Sequence, residues 1–178
     1  MTSLDTTTEI STLIAELGDE NGLTRQRARL NLGYRGNESI PELLKAIHSP
    51  NTNTRLGAIK VLGELHATEA AQPLVPMLMD DDPDIRWSTM ESLIRVGRVS
   101  MRPILEMFIR NFDSSVMREG VHHILHVFKD QYILNEYEIT LFKELDKQRL
   151  AGFQMGWNSE AAWAAEKALE VLDKMQNE

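Results

Sequence analysis

The chain has 178 residues, 42% of them hydrophobic and 26% charged, enough to bury a substantial core and far from a disordered composition. It has no cysteine, which excludes disulfides, thiolate metal sites and thiol nucleophiles. The net charge of −8 opposes general attraction to phosphate backbones, so nucleic acid is not an expected partner.

Residues 1–8 form a short polar lead, read as a flexible tail ahead of one repeat domain over 9–178. No basic segment followed by an apolar core opens the chain, and no run of 18 apolar residues occurs, so the expectation is a cytoplasmic protein outside the membrane. From Ile10 onward the apolar spacing i, i+3, i+4, i+7 places four side chains on one helical face. Ile10, Leu13, Ile14 and Leu17 fit it first. Ile40, Leu43, Leu44 and Ile47 repeat it, followed by Ala71, Leu74, Val75 and Leu78, then Met101, Ile104, Leu105 and Phe108. These are the B helices.

A second pattern alternates with the first and starts on Arg25, Arg55 and Arg86. Three residues on come Ala28, Ala58 and Thr89, seven on Leu32, Leu62 and Leu93, eight on Gly33, Gly63 and Ile94, and eleven on Gly36, His66 and Gly97. These are the A helices. Small residues allow a neighbouring helix to come close, and a glycine past the last turn ends a helix in the left-handed region. Pro41, Pro73 and Pro103 fall in the first turn of the following B helices. Ser49-Pro50 and Asp82-Pro83 read as an N-cap with proline at the first helical position.

The strict register runs from Ile10 to Phe108 and then loosens, with two extra residues before the fourth A pattern. Arg118, Val121 and Leu125 keep the A pattern, and Glu138, Leu141, Phe142 and Leu145 form a late B pattern after an insertion at Gln131 to Asn135. A glycine-containing connection, Ala151 to Asn158, leads to a last helix from about Ser159 with Ala165, Leu169 and Leu172 on one face. The expected fold is all-α, an α-solenoid of about ten helices in five antiparallel hairpin layers. Regular repeats cover 9–128 and atypical capping helices 136–178.

The run Asp82-Pro83-Asp84-Ile85-Arg86-Trp87-Ser88-Thr89-Met90-Glu91-Ser92-Leu93 resembles the Asp-Pro-x-(Val/Ile)-Arg-x-x-Ala-x-x-(Ala)-Leu signature of HEAT-like repeats of the phycobilisome-lyase type. The resemblance covers about residues 9 to 128 and implies a HEAT-like superhelix. It also implies that Arg25, Arg55, Arg86 and Arg118 form a structural ladder tying loop groups of adjacent repeats, with Asn53 or Asp84 as acceptors. In such stacks the B helices line a concave face where a partner binds. The partner-binding residues expected by that analogy are Glu42, Lys45, His48, Gln72, Met79, Arg102, Glu106 and Arg110.

Three further constellations are weighed against this reading. Asp80, Asp81, Asp82 and Asp84, with Glu91, approach the spacing of a calcium loop, but Ile85 stands where the loop needs glycine, so a helix-capping cluster is the better account. Glu119, His122 and His126 lie one turn apart and are the candidate metal ligands. His122 and His126 occupy offsets held elsewhere by Arg29, Ile59 and Met90 and by Gly33, Gly63 and Ile94, so packing is favoured and no metal is assigned. Trp87, Trp157 and Trp163 offer stacking surfaces without the basic surroundings that nucleic acid requires.

The function expected is a non-catalytic adaptor or scaffold that binds another protein, with no cofactor. The alternative implied by the resemblance is a bilin lyase or bilin-handling chaperone, here without a cysteine to hold a bilin covalently.

Overall fold

A computed structural model describes residues 8–150 and 159–176. Residues 1–7 of the expected tail, and the connection Ala151 to Asn158 with Trp157, lie outside the described residues. Among the described residues all regular structure is helical, with ten α-helices and four 3-10 segments in the hairpin order of an α-solenoid. The chain divides into two compact units, Met1–Gly97 and Arg98–Glu178.

The first unit contains α1 (Ile10–Glu16), α2 (Gly22–Arg35), α3 (Ile40–Ala46), α4 (Thr52–Glu64), α5 (Ala71–Leu74) and α6 (Pro83–Val96). The arginine-led helices α2, α4 and α6 pack in a row, and α1 packs on α3. Each arginine-led helix begins on a side-chain cap four residues before its arginine. The oxygen of Asn21 accepts from the Leu23 N–H at 2.9 Å, Asn51 from Thr54 at 3.1 Å, and Asp82 from Asp84 at 2.8 Å. The Asp82-Pro83 reading therefore matches the helix start, whereas the Ser49-Pro50 reading does not. There Pro50 precedes the cap, and Ser49 Oγ accepts from the Asn51 N–H at 3.2 Å.

The same helices end alike. Gly36, His66 and Gly97, the residues eleven past each arginine, have φ of 59°, 50° and 87°. Glycine enters this region without steric cost; a residue with a Cβ pays for it. At His66 the ring helps offset that cost, because Nδ1 lies 2.6 Å from the Arg95 carbonyl on α6 and donates to it.

The B pattern holds less evenly. Leu13, Leu17, Leu43, Ile47, Leu74 and Leu78 are fully buried, each burial stabilising by about 2 kcal/mol. The third B helix, however, is broken: α5 lasts one turn and continues as a 3-10 segment, Val75–Met79. Pro76 causes this, since it has no N–H for an α-helical bond and its ring crowds the carbonyl four residues back.

α4 and α6 meet most closely at Gly63. A Cβ built there would lie 2.5 Å from Ser92 Oγ and 2.8 Å from Ser92 Cα. The same serine donates its hydroxyl to the Ile59 carbonyl at 2.9 Å, so the two helices are both touching and hydrogen-bonded.

The second unit contains α7 (Met101–Arg110), α8 (Ser115–Asp130), α9 (Glu136–Leu150) and α10 (Ser159–Gln176). Helices α8 and α9 form a hairpin, and α10 lies against both α7 and α9. Its buried stripe is Ala161, Ala164, Ala165 and Ala168. Leu169 and Leu172, expected beside Ala165 on the packed face, are only partly buried. Alanine brings the helix axis closer than leucine would allow.

Gly63→Ala is expected to lower stability by about 2 kcal/mol through overpacking against Ser92. The control is Gly33→Ala at the same repeat offset, where a Cβ meets nothing within 4 Å. That change should raise stability by up to about 1 kcal/mol, since a helical glycine is replaced. Urea unfolding of both variants checks the contrast.

Candidate protein-binding surface

The four arginines make one contact, repeated. Arg25 Nη1 donates to the carbonyls of Asp19 and Glu20 at 2.7 and 2.9 Å, and Arg55 to those of Ser49 and Pro50 at 3.0 and 3.3 Å. Arg86 reaches Asp80 and Asp81 at 2.8 and 3.0 Å, and Arg118 reaches Phe112 and Asp113 at 3.0 and 2.9 Å. The acceptors are main-chain carbonyls six and five residues back, in the loop before each arginine's own helix, rather than Asn53 or Asp84. Successive loops are linked as well, in one case by an arginine of this same set. Arg55 Nε sits 3.5 Å from Asp80 Oδ2, and Asn51 Nδ2 donates to the Gly18 carbonyl at 3.3 Å.

The acidic run is consumed in this framework. Asp82 caps α6, while Asp80 accepts from the Asp82 N–H at 2.9 Å and pairs with Arg55. Asp81 and Asp84 point to solvent. Among the described residues no group of three His, Cys, Asp or Glu side chains is placed to hold a metal ion.

The Glu119, His122, His126 triad is likewise not assembled. Glu119 is exposed, His122 Nε2 lies 3.2 Å from Asp146 Oδ1 on α9, and His126 Nδ1 lies 3.6 Å from Asp130. The two imidazoles hold the Phe142 ring instead. His122 stacks on it with centroids 5.1 Å apart, and His126 meets its edge at 5.9 Å. Burial pushes the His122 pKa below its ordinary value, against the opposing pull of Asp146.

The expected contact residues behave differently in the two units. In the first unit, Lys45 and His48 on and just past α3, and Gln72 and Met79 on α5 and its 3-10 continuation, are exposed. Glu42 is half-buried and pairs with Lys45 at 2.6 Å. The apolar residues beside them, Leu43, Ile47, Leu74 and Leu78, point inward and are buried. In the second unit, Arg102 on α7 is taken up by Asp173 of α10 and by Glu106, whose carboxylate is 3.6 Å away. Arg110 is exposed and donates from Nε to the Glu106 carbonyl at 3.0 Å.

One ion pair, made by a buried carboxylate and a half-buried arginine, was not foreseen from the sequence. Glu138 occupies the first position of the late B pattern, where an apolar residue was expected, and is fully buried. Its Oε1 accepts from Arg98 Nη1 at 2.6 Å and its Oε2 from the Asn135 N–H at 2.9 Å. Asn135 Oδ1 in return accepts from the Glu138 N–H at 2.9 Å. This is a reciprocal capping box, and the Asn-x-x-Glu spacing of Asn135 and Glu138 was the available signal.

Two measurements probe these contacts. Unfolded His122 takes up a proton near its ordinary value of 6.5, while the folded residue resists it, so the unfolded state binds more protons as pH falls. Stability should therefore drop on acidification through about pH 6.5, and His122→Gln should flatten that drop in unfolding experiments between about pH 7.5 and about pH 5.5. Glu138→Ala, which removes the acceptor of the half-buried Arg98 and of the Asn135 N–H, should cost about 2 kcal/mol in the same assay.

The family comparison agrees with the hairpin geometry. A family model described as HEAT repeats matches residues 10–94 and, in a second register, 40–123. No curated protein matches the chain. No helix among the described residues is long and apolar enough to cross a membrane. With the matches running from residue 10 to residue 123, through the capped and arginine-clamped helices, the chain belongs to the HEAT-repeat family.

Proposed function

We propose that the chain is a non-catalytic adaptor or scaffold, cytoplasmic, that binds another protein through the B-helix side of its first unit. HEAT repeats commonly present a stacked helical surface to a protein partner. The supporting observation is the division of labour on α3 and α5. Lys45, His48, Gln72 and Met79 are exposed while Leu43, Ile47, Leu74 and Leu78 carry the packing. These outward side chains are dispensable for the core, and they combine a cation, a titratable ring, an amide and a flexible thioether, a mixture suited to a protein surface.

Arg102 and Glu106 contribute less to this reading than the sequence implied, because Arg102 is spent on Asp173 within its own unit. The bilin alternative rests on the likeness of the Asp82 to Leu93 run alone, and the family match is to HEAT repeats in general.

A photo-crosslinking side chain placed at His48 should trap one defined protein in an extract of the native source, and Lys45→Glu with Gln72→Arg should abolish that product. The same crosslinker at Glu64, exposed on α4, should not trap it. Equal trapping from both positions, or indifference to the two substitutions, would remove the assignment of this face.

A further inference from the structure

The last helix of the chain shows what can cover a B helix. By its place in the order of elements α10 stands where a further arginine-led helix would come, and in the first unit such helices pack on one another, α2 on α4 and α4 on α6. Helix α10 instead lies against α7 and α9, the two B helices of its unit. Its buried stripe, Ala161, Ala164, Ala165 and Ala168, follows the spacing i, i+3, i+4, i+7. Farther along, Asp173 pairs with Arg102 of α7.

The burial of α7 records this cover. The residues one, five and eight past the start of its B pattern, Arg102, Glu106 and Ile109, are all half-buried. At the same offsets α3 and the turn after it carry Pro41, Lys45 and His48, and α5 with its 3-10 continuation carries Gln72, Pro76 and Met79. All six are exposed. The core-facing offsets, three and seven past the start, do not differ in this way: Leu43, Leu74 and Ile104, and Ile47, Leu78 and Phe108, are all fully buried. The three B helices are therefore alike on the side that faces the core and unlike on the flank whose Arg102 meets α10.

The exposed flank of the first unit also has the composition of a covered one. Its six positions hold two prolines, a thioether, an imidazole, an amide and one ammonium, with no carboxylate, in a chain whose residues are 26% charged. Depletion of charge is what distinguishes the core of a protein interface from ordinary surface. The one ammonium, Lys45, is already paired with Glu42 of its own helix at 2.6 Å.

We infer that the B-helix side of the first unit receives an α-helix of the partner protein, laid across α3 and α5 as α10 lies across α7 and α9, with small side chains at i, i+3, i+4 and i+7 turned toward the chain. The inference rests on the reading that this side binds a protein, and it adds the form and the contact chemistry of the segment that binds. A helix in a groove is a recurrent mode of recognition, and the distance of approach is set by the side chains at the contact. Small ones suit a flank that projects the rigid rings of Pro41 and Pro76, because a leucine stripe would hold the incoming helix farther off.

The test uses the full chain, whose own α10 is in place, and a fluorescein-labelled peptide with the sequence of α10, Ser159–Gln176. Anisotropy titration should show saturable binding. A peptide carrying Ala164→Leu, Ala165→Leu and Ala168→Leu should bind at least about tenfold more weakly. His48→Asp with Gln72→Asp in the chain should also weaken binding at least about tenfold, because the docked helix would bury both carboxylates. Both positions are exposed, and unchanged circular dichroism would confirm that the variant folds. Arg102→Ala should leave the titration unaltered. Absence of binding, equal binding of the two peptides, or indifference to the paired aspartates would overturn the inference. So would sensitivity to Arg102→Ala alone, since the peptide would then be exchanging with the resident α10. In each of these cases the crosslink from His48 decides the broader reading: a protein trapped there keeps the protein-binding side and removes only the helix, while no trapped protein removes both.

Discussion

One guanidinium nitrogen reaching two consecutive carbonyls, repeated at Arg25, Arg55, Arg86 and Arg118, sets the geometry on which the hairpins depend. The chain must turn sharply between the end of a B helix and the cap of the next A helix, and the carbonyls in that turn have no helical partner. Arginine satisfies two at once with charge-assisted bonds from a planar group, which an ammonium on a flexible stem does less well. Because the acceptors belong to the main chain, the loops can carry Asp-Glu, Ser-Pro, Asp-Asp or Phe-Asp without altering the clamp. The loop side chains are thereby available for other work. Asp80 uses this latitude to bridge to Arg55, and the cap positions hold Asn21, Asn51, Asp82 and Ser114.

Much of the fold was readable because the repeat supplies its own controls. Ala28, Ala58 and Thr89, and Leu32, Leu62 and Leu93, occupy matching offsets and are all fully buried. Gly36, His66 and Gly97 share an offset and a left-handed backbone, although His66 would not announce a helix end on its own. What escaped the sequence reading were single residues whose chemistry overrides their register. Pro76 breaks a helix whose apolar spacing is intact, and Glu138 sits in an apolar slot because Arg98, forty residues earlier, neutralises it. The Ser49-Pro50 start failed because a proline before a cap and a proline after one look alike in sequence.

The proposed binding surface was only partly legible for a different reason. Interleaving of polar with apolar residues on a B helix reports which side chains leave the core, but not what arrives to cover them. On α3 the outward residues remain exposed; on α7 the outward Arg102 is met by α10. Nothing in the spacing of Met101 to Phe108 distinguishes the two helices. The distinguishing information lies far downstream, in Asp173 and in the alanines Ala161, Ala164, Ala165 and Ala168 that let α10 approach.

The 3-10 turn imposed by Pro76 also changes how the first unit presents its side chains. An α-helix advances about 100° per residue and spreads neighbouring positions around its circumference, whereas a 3-10 helix brings every third residue into line. Val75 and Leu78 accordingly point together into the core, and Pro76 and Met79 point together outward. A rigid ring and a flexible thioether therefore form a narrow ledge at the edge of the B-helix side. A partner would meet there a step in the surface where an unbroken helix would offer a smooth cylinder.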